Sequence, residues 1–142
     1  IVGIDRYGDI SFLNRCQKDW NQTKETIIST VGSTPTLIDS TGVGDPIAED
    51  IQKICSRVEG FKFSSNSKQQ IMEGLAVAIQ QGTTSVLEGV HYDAMECFEY
   101  EYTRTGVRYS APQGVHDDTV CAHALAIHKK GNNKYDGKYT IS

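Results

Sequence analysis

The segment that most constrains the fold is a short apolar run, residues 36–39, which ends in an acidic residue and a glycine-rich loop. A run of this length between turn signals is typical of a buried strand. A helix is predicted directly after the loop, since Asp45 suits its N-cap and Pro46 its first position. Apolar residues then recur with helical spacing as far as Val58. A strand that leads through a loop into a helix favours an α/β fold.

The remaining segments also alternate between strand and helix patterns. The spacing predicts a hairpin of strands 1–5 and 10–17, a short strand at 61–63, an aromatic hairpin at 98–111, and helices at 23–31, 67–81, 91–98 and 116–130. Ser67 with Gln70 is a possible capping box, and Gly131 is the expected stop of the last helix. This order predicts a mixed sheet flanked by helices. A chain of 142 residues fits one domain.

Charge, hydropathy and cysteine usage argue against several classes of function. The net charge of −4 does not suggest bulk electrostatic binding of nucleic acid, although local basic patches can still contact phosphates. The chain has no apolar run near the ~18 residues that a membrane helix needs, so no membrane partner is expected. No Cys-x-x-Cys pair occurs, which argues against a zinc site and favours free thiols.

Acidic residues stand at two places where ligands could bind. Asp39 follows the predicted strand, and ligands of open α/β sheets bind at such strand ends. Asp117 and Asp118 fall in the first turn of the last predicted helix. Each feature also has a purely structural explanation: Asp39 could cap the backbone amides of its loop, and the two adjacent acids could cap the helix.

Two adjacent acids exceed what one helix cap requires. Carboxylates from separate elements repel each other unless a cation binds between them. Mg²⁺ uses one or two carboxylates plus substrate phosphates, and two ions about 3.5–4 Å apart stabilise both oxygens of phosphodiester hydrolysis. The sequence therefore suggests a metal-dependent nuclease site of Asp39 and Asp118, supported by Asp117 and His116.

Two further motifs have limited meaning. The glycines after Asp39 are not followed by Lys-Ser/Thr, so the loop is not a Walker A motif, and no such motif occurs elsewhere in the sequence. Its absence argues against an ATPase motor. The aromatic hairpin favours a half-buried strand face. Its Arg104 and Arg108 are candidates for contact with a DNA backbone, with a solvated surface as the alternative.

Three motifs resemble one known family. DSTGVGDP (39–46), FEYEYT (98–103) and YSAPQGVHDDTV (109–120) follow the order seen in the nuclease domain of the large terminase subunit of tailed phages, and KFS (62–64) with Lys68 adds to the likeness. The similarity spans nearly the whole chain and is strongest over residues 36–127. The resemblance implies a ribonuclease H-like fold and metal-dependent cutting of double-stranded DNA during viral genome packaging.

The resemblance also implies a site, cofactors and partners. The family acids match Asp39 and the 116–118 cluster, with Asp118 expected as the principal metal ligand there and Asp117 as the second choice. Two Mg²⁺ or Mn²⁺ ions are implied as cofactors. The full-length protein is expected to work with a capsid portal and a small terminase subunit in the host cytoplasm, behind an ATPase domain that this chain does not contain.

One departure from the family concerns its first acid, which lies on a central first strand. The stretch from Asp5 to Asp39 already holds a hairpin and a helix, so residues 1–5 are expected to be the second strand and the first to lie upstream. The alternative makes Asp5 the first acid. A sheet without its central strand has two open edges, so we expect destabilisation, edge-to-edge association or a borrowed strand. An inactive chain is then one expected outcome. The predicted division is a nuclease-like domain, 1–131, and a polar tail, 132–142.

Two other functions stay open on the sequence. One is another ribonuclease H-like nuclease, such as a Holliday-junction resolvase, which would prefer branched DNA. The other is a non-catalytic packaging module that docks on DNA or on a portal without cutting.

Overall fold

Short strands and helices alternate along the chain, as the sequence predicts. The computed structural model describes residues 1–42, 44–97, 99–103, 106–110, 117–132 and 139–141. The strands are β1 (Val2–Ile4), β2 (Ile10–Leu13), β3 (Thr36–Asp39), β4 (Val58–Phe61), β5 (Glu99–Thr103), β6 (Gly106–Ser110) and β7 (Tyr139–Ile141). The helices are α1 (Trp20–Val31), α2 (Gly44–Gln52), α3 (Ser65–Gln80), α4 (Val90–Cys97) and α5 (Asp118–Asn132).

The described strands pair in both directions and form three small sheets, not the one mixed sheet that the pattern predicts, within the predicted α/β class. β1 lies between β2 and β7 and is antiparallel to both, β3 is parallel to β4, and β5 is antiparallel to β6. Both predicted hairpins are present. β7 comes from the 132–142 segment, for which the sequence pattern predicts no strand.

Helices cover both faces of β3. Leu37 packs in a cluster with Ile71 of α3 and Leu125 of α5, whereas Ile38 packs with Ile27 of α1 and Ile51 of α2. Successive side chains of a strand point to opposite faces, so these two neighbours define a helix–sheet–helix layering. The end of β3 therefore lies between the two helical layers. Across the described ranges, no helix combines the length and apolar character that crossing a bilayer demands.

The second helix is shorter than predicted. α2 ends at Gln52, and Val58 opens β4 instead of closing the helix. Val58 is buried because β4 pairs with Thr36 and its neighbours in β3, so its helical spacing was coincidental. Ile54, counted in the same helical pattern, is 68% exposed. β4 consequently begins three positions before the predicted 61–63 strand.

Helix ends differ from the sequence prediction at three more places. α1 begins earlier than predicted, because Asp19 caps it by accepting from the Gln22 amide. α3 is capped by a box of Ser64 and Ser67, each side chain accepting from the other's amide, and not by the predicted pair Ser67 and Gln70. α5 continues through Gly131 to Asn132, since that glycine keeps a helical backbone.

A hydrogen-bonded chain of buried groups joins α4 to α5. The Thr84 hydroxyl donates to the Gly8 carbonyl at 2.7 Å and lies 2.8 Å from Nε2 of His123. Nδ1 of His123 lies 3.0 Å from Nε2 of His91. Because the hydroxyl proton is committed to Gly8, the hydroxyl accepts from His123, whose Nδ1 then accepts from His91. The Nδ1 atom of His91 is buried without a hydrogen-bond partner among the described residues.

Candidate functional site

Three of the predicted acidic residues line one cavity. The cavity has a volume of about 400 Å³ and opens where β3 ends and α5 begins. Asp39, Asp117 and Asp118 all contribute to its wall. The other lining residues are Ile1, Asn14, Arg15, Cys16, Thr23, Thr26, Ile27, Phe63, Thr119, Cys121, Ala122 and Leu125. Two acidic segments far apart in the sequence therefore meet at one edge of the fold.

Asp39 is held by its own loop. Its Oδ1 accepts a hydrogen bond from the Thr41 amide at 2.9 Å, which is the capping role that the sequence offered as an alternative. The Thr41 hydroxyl in turn accepts from the Phe63 amide at 2.9 Å. This bond joins the loop after β3 to the loop before α3. Asp39 thus caps a turn with one oxygen while its exposed carboxylate lines the cavity.

The loop after β3 is also held by a close contact between Ser40 and the backbone of Gly60. Ser40 is buried against Gly60 of β4, and a Cβ built on that glycine would lie 2.8 Å from the Ser40 Oγ. Real Cβ atoms essentially never come so close, so the position has room only for glycine unless Ser40 moves. The end of β3, and with it Asp39, is therefore set by the packing of β3 on β4.

Asp118 and Asp117 each face a cation. Nε of Arg15 donates to Oδ2 of Asp118 at 2.9 Å, across 103 positions of sequence. Nζ of Lys68, in the first turn of α3, donates to Oδ2 of Asp117 at 3.2 Å. The Lys68 pair is the more enclosed, with side chains 29% and 32% exposed, against 42% and 54% for Arg15 and Asp118. These ion pairs balance the charge of the two acidic residues at the start of α5.

Cys121 lies one turn further along α5 and also lines the cavity. Burial, together with the nearby carboxylates of Asp117 and Asp39 and against the opposing charge of Lys68, raises the pKa of its thiol to about 12. The thiol is therefore neutral near pH 7. It also hydrogen-bonds Asp117, so that carboxylate has a neutral neighbour on one side and a cation on the other.

The carboxylates supply hard oxygen atoms, which suit Mg²⁺ and similar ions. They are not drawn together into a ready-made ligand shell. Within the ranges that the structure describes, no group of three or more His, Cys, Asp or Glu side chains is arranged to hold a metal ion. Instead, Arg15 and Lys68 stand at carboxylate oxygens where a bound ion would otherwise supply the positive charge.

The other predicted site residues fall elsewhere. His116 and Arg104 lie outside the described residues. Arg108 is on β6, opposite Glu101, and only its backbone is described. Asp5, the alternative first acid, does not line the cavity. Its Oδ1 accepts from the amides of Tyr7 and Asp9, so it caps the β1–β2 turn at the far end of β1 from Ile1.

Sequence reasoning missed three residues that line or border the cavity. Arg15 has no local signal, because its partner is more than a hundred positions away. The sequence identified Cys121 only as a free thiol. Lys68 stood in a motif that contributed to the family resemblance, and this motif was the one available signal for a lysine beside the acids.

Solved structures of a known protein are similar in fold to this chain. No family model and no curated protein matches the chain. The crystal structure of the large terminase nuclease from thermophilic phage G20c with bound cobalt is similar, with a TM-score of 0.75 and 29% identity over 86% of this chain and 69% of that one. The same nuclease with bound magnesium gives a TM-score of 0.74 and 29% identity, over 86% and 68% of the two chains.

The layered arrangement, the acidic cavity at the end of β3 and these structural relatives define an α/β domain of the ribonuclease H-like class. Within that class, the chain has the fold of a phage large terminase nuclease domain. The resemblance seen in the sequence motifs is confirmed at the level of the fold.

Proposed function

We propose that this chain is the nuclease part of a phage packaging enzyme, a metal-dependent endonuclease that cleaves double-stranded viral DNA. The observation that carries the proposal is the meeting of Asp39, Asp117 and Asp118 in one cavity of a terminase nuclease fold. The related nuclease has been seen with cobalt and with magnesium, which supports dependence on a divalent metal.

The proposed metal ligands are Asp39 and Asp118, with Asp117 beside them. Their fit to a hard divalent ion rests on the oxygen donors and on the two protein cations that already face those oxygens. We propose two Mg²⁺ or Mn²⁺ ions. When bound, such ions activate water and stabilise the leaving oxygen of a phosphodiester.

The chain's own residues then hold the site in place. The Thr41 amide fixes one oxygen of Asp39. Asp118 opens α5, where the helix dipole favours a carboxylate, so its charge is tolerated without a metal. Lys68 offsets the charge of Asp117 and reduces repulsion between the neighbouring acids. His116 is proposed as an auxiliary catalytic residue.

Substrate and partners follow from the same assignment. Arg108, on β6, and Arg104 are proposed to contact the DNA backbone. The full-length protein is proposed to act on DNA at a capsid portal, with a small terminase subunit, in the host cytoplasm. DNA contact of this kind is backbone-directed, so little sequence preference is expected.

Plasmid nicking with Mn²⁺ tests the proposal. Asp39→Asn and Asp118→Asn should abolish nicking, because each removes a ligand charge. Asp50→Asn is the matched control, since Asp50 pairs with Lys24 and Lys53 on a different groove. The assay is run on this chain and on a version extended at its amino end, where the resemblance implies a further acid. Nicking that survives either variant would refute the assignment.

Two further measurements separate the alternative functions from the proposed one. A junction resolvase would cut branched DNA in preference to linear duplex, which a substrate panel measures. A docking module would give no calorimetric heat with Mg²⁺ or Mn²⁺ that depends on Asp39 or Asp118.

A further inference from the structure

The contact between Arg15 and Asp118 joins two segments that lie 103 positions apart in the sequence. Arg15 belongs to the 14–19 segment between β2 and α1, and its Nε donates to Oδ2 of Asp118 at 2.9 Å. A charged donor at this distance makes a directional hydrogen bond with a carboxylate. The contact also lies on the wall of the acidic cavity, where Arg15 is itself a lining residue.

An arginine in this position competes with a metal ion. A carboxylate oxygen that accepts from a guanidinium has one of its two lone pairs directed at that cation, and a divalent ion on the same oxygen would bring two positive centres together. The ion pair is 42% and 54% exposed, so water can replace the guanidinium at little cost. The 14–19 segment carries no regular secondary structure up to Asp19, so Arg15 can move without disturbing a helix or strand.

Lys68 provides the contrast. It stands on α3, whose residues Ile71 and Leu75 pack in one cluster with Leu125 of α5. Its ion pair with Asp117 is about one-third exposed on each side. This packing fixes the backbone that carries Lys68, and the lower exposure of its ion pair makes replacement by water more costly than for Arg15.

We infer that Arg15 is an internal competitor for the metal site. In the metal-free protein it holds Oδ2 of Asp118, and a divalent ion that binds Asp118 displaces it, while Lys68 stays beside Asp117. This inference rests on the proposed function, because it takes Asp118 as a metal ligand. It adds that metal loading and the contact of Arg15 with Asp118 are coupled, so that each biases the other.

Nuclear magnetic resonance of the arginine Nε–H group observes the exchange directly. The Arg15 signal is assigned as the one lost in Arg15→Gln, and Mg²⁺ is then titrated into the ¹⁵N-labelled wild-type chain. We expect this signal to move to the position of solvent-exposed arginines, with the same midpoint as the calorimetric binding of Mg²⁺. A signal that stays in place while Mg²⁺ binds would overturn the inference and leave the proposed function intact.

Calorimetry with Mn²⁺ gives the energetic counterpart. Removing the competitor in Arg15→Gln should lower the dissociation constant by about two- to fivefold, the range that an exposed ion pair implies. Lys53→Gln, which removes an equal charge from the Asp50 pair on a different groove, should leave the constant unchanged. Equal affinities for wild type and Arg15→Gln would contradict the inference. Absence of Mn²⁺ binding in both proteins would refute the metal site itself and the inference with it.

Discussion

His91 and His123 are hydrogen-bonded to each other inside the protein, with Nε2 of one 3.0 Å from Nδ1 of the other. Both side chains are almost completely buried, and they join α4 to α5, the helix that begins with Asp118. Neither ring can accept a proton without breaking this arrangement or placing a charge in the interior. The stability of α5, the helix that begins at the acidic cavity, therefore depends on the pH of the solution.

Stability should fall as the pH drops below about 6.5. Burial, with a smaller contribution from His91, lowers the pKa of His123 to about 3. Between the unfolded value of about 6.5 and that folded value, only the unfolded chain binds the proton, so each pH unit costs about 1.4 kcal/mol. Urea unfolding at pH 7.5, 6 and 5 measures this slope.

His123→Gln should reduce that slope, because the variant no longer has the His123 ring to protonate, whereas the buried His91 ring remains. Thr84→Val is the matched control: it removes the hydrogen bond to Nε2 but keeps the histidine, so the slope should persist. Wild type and His123→Gln with the same pH dependence would contradict this account.

Gly60 sets the position of the strand end that carries Asp39. In Gly60→Ala the new methyl would lie 2.8 Å from the Ser40 Oγ and 3.1 Å from its Cβ, so Ser40 must move. Such overpacking typically costs about 1–3 kcal/mol of unfolding free energy. Gly74→Ala is the control, since nothing lies within 4 Å of its added Cβ and alanine stabilises an exposed helix position by up to about 1 kcal/mol.

Urea unfolding of the two glycine variants measures these changes in unfolding free energy. Gly60→Ala should be less stable than wild type and Gly74→Ala slightly more stable. If both alanines stabilised the protein, the β3–β4 contact would not fix the end of β3.

Lys68 should stabilise the metal-free protein through Asp117. We expect Lys68→Met to lose about 1 kcal/mol in the presence of EDTA, because it leaves a half-buried carboxylate without its cation. Lys62→Met should change stability less than Lys68→Met does, since its pair with Asp45 has a lysine that is 70% exposed. A double-mutant cycle with Asp117→Asn isolates the pair. A coupling energy no larger than that of the Lys62–Asp45 pair would argue against this role.

Local sequence patterns predicted those elements that are determined locally. The strand at Thr36–Asp39 was predicted with its observed bounds, because an apolar run between turn signals leaves few alternatives. The α/β class and both hairpins followed from the same patterns. Val58 was assigned to a helix because its spacing fits a helical stripe by chance, whereas its burial comes from pairing with β3.

Long-range contacts were beyond the reach of those patterns. The sequence indicated that Asp39 should converge with Asp117 and Asp118, since strand ends and helix starts share one edge of such folds. It gave no sign that Arg15 would meet Asp118, because that contact depends on how β2 and α5 pack. β7 was missed for a similar reason: three residues with one aliphatic side chain carry no periodic signal, and their strand exists through pairing with β1.

The central claim is that Asp39 and Asp118 together hold a divalent ion. Anomalous X-ray scattering from crystals grown with Mn²⁺ tests it directly. We predict a manganese peak within about 2.0–2.2 Å of a carboxylate oxygen from each residue, a distance range close to that of Mg²⁺. Manganese ordered only at other carboxylates, or none in the cavity at millimolar concentration, would contradict the claim.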